Sequence, residues 1–145
     1  NLVESIFHIN QANETGLFKL DDIDLKSAVD ICKALSQPIL YLTDENLSEE
    51  ALKLLATKTG IDSKKLSDGS VSPEKWDELM QEANELGESL LYIDRKPASI
   101  EDLQLIAFEA RKNLGVRHLI IQDMAASDKL EAAATETGTL IIIKG

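Results

Sequence analysis

Four carboxylates stand directly behind short apolar runs. Asp44 and Glu45 follow ILYLT, Asp94 follows LLYI, and Asp123 follows HLIIQ. If those runs are parallel strands, all four emerge at the carboxyl edge of one sheet, where open α/β folds bind ligands. A carboxylate there can act as a general base toward water or hold a magnesium ion. Polar residues also gather at that edge because strands end in solvent, so their position alone leaves both readings open. The other reactive side chains are isolated. His8 and His118 have no partner at metal-ligand spacing and read as surface or strand-edge residues. Cys32 lies on the apolar stripe of a predicted helix and reads as a small core residue. Trp76 also lies on a helical stripe and reads as core. The sequence contains no G-x-S-x-G, C-x-x-C, H-E-x-x-H or intact phosphate loop.

The elements that must position these residues alternate between helical patterns and β-branched runs. Residues 2–11 suggest a loose amphipathic helix, and Thr15–Leu20 a first strand. Leu25, Ala28, Val29, Cys32 and Leu35 recur at helical spacing. Pro38 then opens the strand ILYL at 39–42. Ser48 is expected to cap a helix with Glu49 and Glu50 in its first turn, ending at Gly60. Residues 61–72 read as a polar loop with an Asp68-Gly69 turn. Ser72-Pro73 starts a helix whose face carries Trp76, Leu79, Met80 and Ala83. LLYI at 90–93 is a third strand. Ser99 caps a long helix to about Leu114, HLII at 118–121 is a fourth strand, and a helix over about 126–137 leads to TLIII at 139–143. Five apolar runs separated by helices predict an α/β fold, a mainly parallel five-stranded sheet with helices on both faces. All 145 residues are read as one domain.

Composition narrows the function classes. Fifteen basic residues against twenty-six acidic ones leave a net charge of −11, which disfavours direct binding to a nucleic-acid backbone or an anionic membrane. Aromatic residues at 4% are too few for a base-stacking platform. No apolar run is long enough to span a bilayer. A single cysteine excludes an internal disulfide framework and fits a cytoplasmic location.

From residue 15 onward the order of segments resembles the RecA-like motor domain of bacterial replicative helicases of the DnaB type. Three stretches carry the resemblance: ILYLTDENLSEEALKLLATKTGIDSKKLSDGSVSPEKW, LLYIDRKPASIEDLQLIAFEARKNLGVRHLIIQDM and LEAAATETGTLIII. It implies a three-layer P-loop NTPase core with spatial strand order 3-2-4-5-1. It also implies where the chemistry should lie. The phosphate loop G-x-x-x-x-G-K-[ST] falls on residues 20–27, where Lys26 and Ser27 are kept but both glycines are replaced, by Leu20 and Leu25. Glycine is needed there so that backbone N–H groups can wrap the phosphates. The magnesium-binding aspartate falls on Gln122, with Asp123 displaced by one place, which in a strand means the opposite face. The sensor pair falls on Lys144-Gly145 and does not match. Glu45 matches the glutamate that activates the attacking water. Residues 124–129 leave no room for the family's DNA-contacting loop.

The resemblance therefore implies a degenerate Walker A motif and a pseudo-ATPase that needs no cofactor and acts as a protein-interaction module in DNA replication. Its expected partner is the helicase, its loader, or a second copy of the chain. The alternative is a fragment or subunit of an ATP-dependent DNA helicase whose phosphate site is supplied elsewhere, with ATP and magnesium as cofactors. A third reading is a small-ligand sensor at the sheet's carboxyl edge. The candidate partner surface is Leu105 and Phe108, which fall opposite the expected core stripe Ile100, Leu103, Ala107, Ala110 and Leu114 at 100° per residue.

Overall fold

The computed structural model describes residues 15–145; the helix expected over 2–11 lies outside them. In chain order they form β1 (Gly16–Leu20), α1 (Leu25–Leu35), β2 (Ile39–Leu42), α2 (Leu47–Thr59), α3 (Ser63–Asp68) and α4 (Pro73–Glu88). These are followed by β3 (Leu91–Asp94), α5 (Ile100–Leu114), β4 (His118–Ile121), α6 (Asp128–Thr137) and β5 (Leu140–Lys144). The strands make one sheet in the order β1-β5-β4-β2-β3, every pairing parallel. This is the expected order 3-2-4-5-1, counted from the other edge. The described chain divides into two compact units, one formed by residues 15–44 together with Leu90–Gly145, the other by Glu45–Ser89.

The first unit holds the whole sheet. Its inner strands β2, β4 and β5 are covered on both faces, which is why they read as unbroken apolar runs rather than alternating ones. Leu40, Leu42, Leu119, Ile121, Ile141 and Ile143 pack under Leu103, Ala107 and Ala110 of α5 and Leu130 and Ala134 of α6. The alternate residues Ile39, Tyr41, Ile120 and Ile142 are fully buried on the opposite face, the side on which α1 packs against β2 and β3. Right-handed crossovers produce this arrangement: the chain moves one way across the sheet through α1 and returns through α5 and α6. His118 belongs to the buried set, at 3% exposure. The expectation of a surface or strand-edge histidine is corrected, because β4 is the third of five strands and has a neighbour on each side. Cys32 is buried on α1, as its stripe predicts. On α5 the expected stripe holds through Ala110, but Leu114 is 40% exposed in the last turn.

The second unit is three helices around few buried apolar residues: Leu54, Ile61 and Leu79, with Thr59 beside them. Lys75 Nζ donates to the Thr59 carbonyl at 3.3 Å, closing the end of α2. Four expectations are corrected in this unit. Asn46 rather than Ser48 caps α2, its Oδ1 accepting from the N–H groups of Ser48 and Glu49 at 3.0 and 3.3 Å. The segment read as a loop contains α3, capped by Asp62, whose Oδ1 accepts from Lys64 N–H at 2.8 Å. The Asp68-Gly69 signal is the end of that helix, where Gly69 takes φ 73° as a left-handed cap. On α4 only Leu79 is buried; Trp76 is 50% and Met80 44% exposed, so Trp76 is not core.

Candidate functional site

The resemblance places a phosphate site where β1 gives way to α1. In that connection Asp24 is the N-cap of α1. Its Oδ1 accepts from the Ser27 N–H at 2.8 Å, while Ser27 Oγ accepts from the Asp24 N–H at 2.9 Å. This reciprocal capping box satisfies donors that an anion at a helix N-terminus would otherwise take. Ile23 is buried at 7% exposure and holds the loop down against the protein. Lys26 is exposed and pairs with Asp30 one turn along at 3.3 Å. Asp21 and Asp22 are exposed on the same loop, and Asp22 lies 4.0 Å from Lys144 Nζ.

Gln122, where the resemblance expects the magnesium-binding aspartate, has a bonding role that sequence reasoning missed. Its backbone N–H donates to the Leu42 carbonyl at 3.0 Å, continuing the β2–β4 ladder past its end. Its side-chain Nε2 donates to the Ile23 carbonyl at 3.1 Å, and its Oε1 accepts from the Thr43 hydroxyl, a residue only 3% exposed. One neutral amide thus ties the β1–α1 loop to the carboxyl ends of β2 and β4. The available signal was a polar residue directly after the run HLII, and no motif marks its role as a bridge. Asp123 is displaced for a different reason than strand alternation: it sits in the turn beyond β4 with φ 58°, exposed, and its carbonyl accepts from Lys96 Nζ at 2.9 Å.

Asp44 is exposed after β2. Asp94 Oδ1 accepts from the next residue's N–H, that of Arg95, at 2.7 Å. Glu45 is exposed and opens the second unit, just before the Asn46 cap. Among the described residues no group of three or more His, Cys, Asp or Glu side chains is placed to hold a metal ion. Leu105 and Phe108 lie on α5, 65% and 55% exposed. Arg111, near the end of the same helix, is committed elsewhere: its guanidinium donates to the Thr137 and Gly138 carbonyls at 3.0 and 3.1 Å, closing the C-terminus of α6.

If Asp24 serves chiefly as a cap, Asp24→Ala should lower stability by about 1 kcal/mol, the usual cost of losing an N-cap acceptor. Chemical denaturation of the variant beside the parent chain measures it. An unchanged midpoint would mean that the capping box contributes nothing.

No known sequence family matches the chain, and no curated protein does. Solved structures do match. One is a DnaB-like replicative helicase studied for its interactions with primase, at TM-score 0.63 and 18% identity over 81% of this chain. Another is a separate ATPase domain, at TM-score 0.62 and 19% identity over the same share. The chain spans 33% of the first structure and 50% of the second. The fold is the RecA-like fold of helicase ATPase domains. Among the described residues no helix is long and apolar enough to cross a membrane.

Proposed function

We propose that this chain is an ATPase-deficient relative of the DnaB-type helicase motor and works as a protein-interaction module in DNA replication. The observation that carries the reading is the bonding of Asp24, Ser27 and Gln122 at the β1–α1 junction. The residues there do not fit a nucleoside triphosphate with magnesium. A phosphate at the head of α1 would have to displace the Asp24 carboxylate from the Ser27 N–H and lie near Asp21 and Asp22. At an effective dielectric of about 20 and roughly 6 Å, each like-charge pair costs on the order of 1–3 kcal/mol, and solvent exposure and salt reduce that severalfold. Lys26 offsets one such term and is already paired with Asp30. Gln122 brings no charge to a divalent cation, and both ends of its amide are engaged within the protein. Leu25, buried in the first turn of α1, stands where a glycine would let the backbone curl around phosphate.

A discounted deficit of about 4 kcal/mol takes a micromolar site to roughly millimolar. Calorimetric titration with ATP and magnesium is therefore expected to give a dissociation constant of about 1 mM or weaker, with no phosphate released in a parallel turnover assay. A constant below about 50 μM that disappears in Lys26→Ala would overturn the reading, because it would place a working phosphate site at this junction.

A further inference from the structure

We infer that the outer face of α5 is a two-fold contact between two copies of this chain, packed antiparallel along α5. This contact rests on the interaction-module reading and names its partner. Leu105 and Phe108 are the most exposed large apolar side chains among the described residues, at 65% and 55%. Glu101 precedes them by one turn and Lys112 follows by one turn. Positions 101, 105, 108 and 112 are spaced four, three and four apart, so they fall within about 60° of arc at 100° per residue. That is the seam spacing of two helices packed side by side. The inward line of the same helix, Leu103, Ala107 and Ala110, is already used in the core.

The order of the seam identifies the occupant. Glu101 and Lys112 are equidistant from the midpoint between Leu105 and Phe108. A two-fold axis through that midpoint sets Leu105 against the partner's Phe108 and Glu101 against the partner's Lys112, each contact made twice. A parallel arrangement would instead oppose Glu101 to Glu101 and Lys112 to Lys112. Acidic residues at the start of a helix and basic ones at its end are common for reasons of the helix dipole. What dipole preference does not require is that one of each lie on the apolar line, symmetrically about its centre. Glu101 is paired within its own chain to Lys129 of α6, yet its side chain stays 62% exposed, at the rim where a second cation can reach it. Arg111 takes no part, being bound to the end of α6.

Sedimentation equilibrium of the 145-residue chain over roughly 10 μM to 1 mM, the range in which a small interface associates, should show a monomer–dimer equilibrium. Leu105→Ser with Phe108→Ser should abolish it while leaving the circular dichroism unchanged. Glu101→Lys alone and Lys112→Glu alone should each weaken dimerisation by about tenfold, since each turns two attractive pairs into repulsive ones. An equimolar mixture of those two variants should restore it, because the heterodimer regains both pairs. A monomer throughout the range, a dimer indifferent to these substitutions, or a mixture that fails to recover would each overturn the contact. The ATP titration reads the underlying function independently, so a monomer that also fails to bind ATP loses only the dimer.

Discussion

At pH 4.5 the protein is expected to be about 2.5 kcal/mol less stable than at pH 7.5 through His118 alone. His118 is buried in β4, its Nδ1 lacks a hydrogen-bond partner, and burial together with the adjacent Arg117 pushes its pKa from 6.5 down to about 4. The native imidazole therefore stays neutral over a range in which the unfolded chain takes up a proton. At pH 7.5 and above, neither state is appreciably protonated at this site and nothing is lost. As the pH falls from 6.5 toward 4 the unfolded state gains a proton that the native state refuses, and stability drops by about 1.4 kcal/mol per unit at the steepest. Below 4 both states are protonated and the loss levels off. His118→Leu keeps an apolar group of similar bulk in the sheet and should remove this slope. At pH 7.5 it should be as stable as the parent or slightly more so, since an unsatisfied buried nitrogen is gone. Urea unfolding of both proteins at the two pH values isolates the effect from the carboxylates, which titrate in both. Equal losses in the two proteins would show that His118 is protonated as readily in the fold as out of it.

Gly138→Ala is expected to cost about 2–3 kcal/mol. Gly138 ends α6 at φ 67°, a conformation that costs an L-residue about 1–2 kcal/mol. A Cβ there would also lie 1.6 Å from the Arg111 guanidinium, so that group must leave the two carbonyls it closes. Charge-assisted bonds of this kind are worth about 1.5–3 kcal/mol before the partial recovery by water. A double-mutant cycle separates the two costs. In an Arg111→Ala background the same glycine substitution should cost only the backbone share, about 1–2 kcal/mol. If the cost is the same in both backgrounds, Arg111 is not displaced and its contact with α6 is incidental.

The sheet was legible because its inner strands are buried on both faces, which compresses them into runs such as ILYL and LIII that no helix period mimics. Strand order came from the resemblance; periodicity says which segments are strands and nothing of their neighbours. The cap at Ser99 was legible, its Oγ accepting from the Asp102 N–H, whereas Ser72 starts α4 without a side-chain cap hydrogen bond. At α2 the expectation fell on Ser48, while the side chain that caps the helix is that of Asn46, two residues earlier. His118 was misplaced because a polar residue at the start of a strand suggests an edge, and only the strand order shows β4 to be internal. Trp76 was misplaced because a helical stripe has flanks, and the side chain that faces inward is set by the packed neighbour. At the candidate site, the Leu20 and Leu25 replacements could be seen in the sequence. The Gln122 bridge could not, since it joins residues 99 and 79 positions apart through loops whose shape no local pattern encodes.

The pairing of β1 with β5 also bears on how the chain reaches its fold. β1 has β5 as its sheet neighbour, with Gly16 beside Leu140 and Leu20 beside Lys144. Among the described residues no strand pairs with its other side. The first described strand is thus completed by the last, and closing that separation costs about 4 kcal/mol of chain entropy, against about 3 for a separation near 20 residues. β2, β3 and β4 can pair with one another while β1 waits, because none of their ladders needs it. During synthesis β1 emerges before the other described strands and stays without its sheet neighbour until β5 has been made. Its short, partly polar sequence GLFKL, with a lysine exposed at Lys19, suits a segment that must remain unpaired for that long without recruiting another chain.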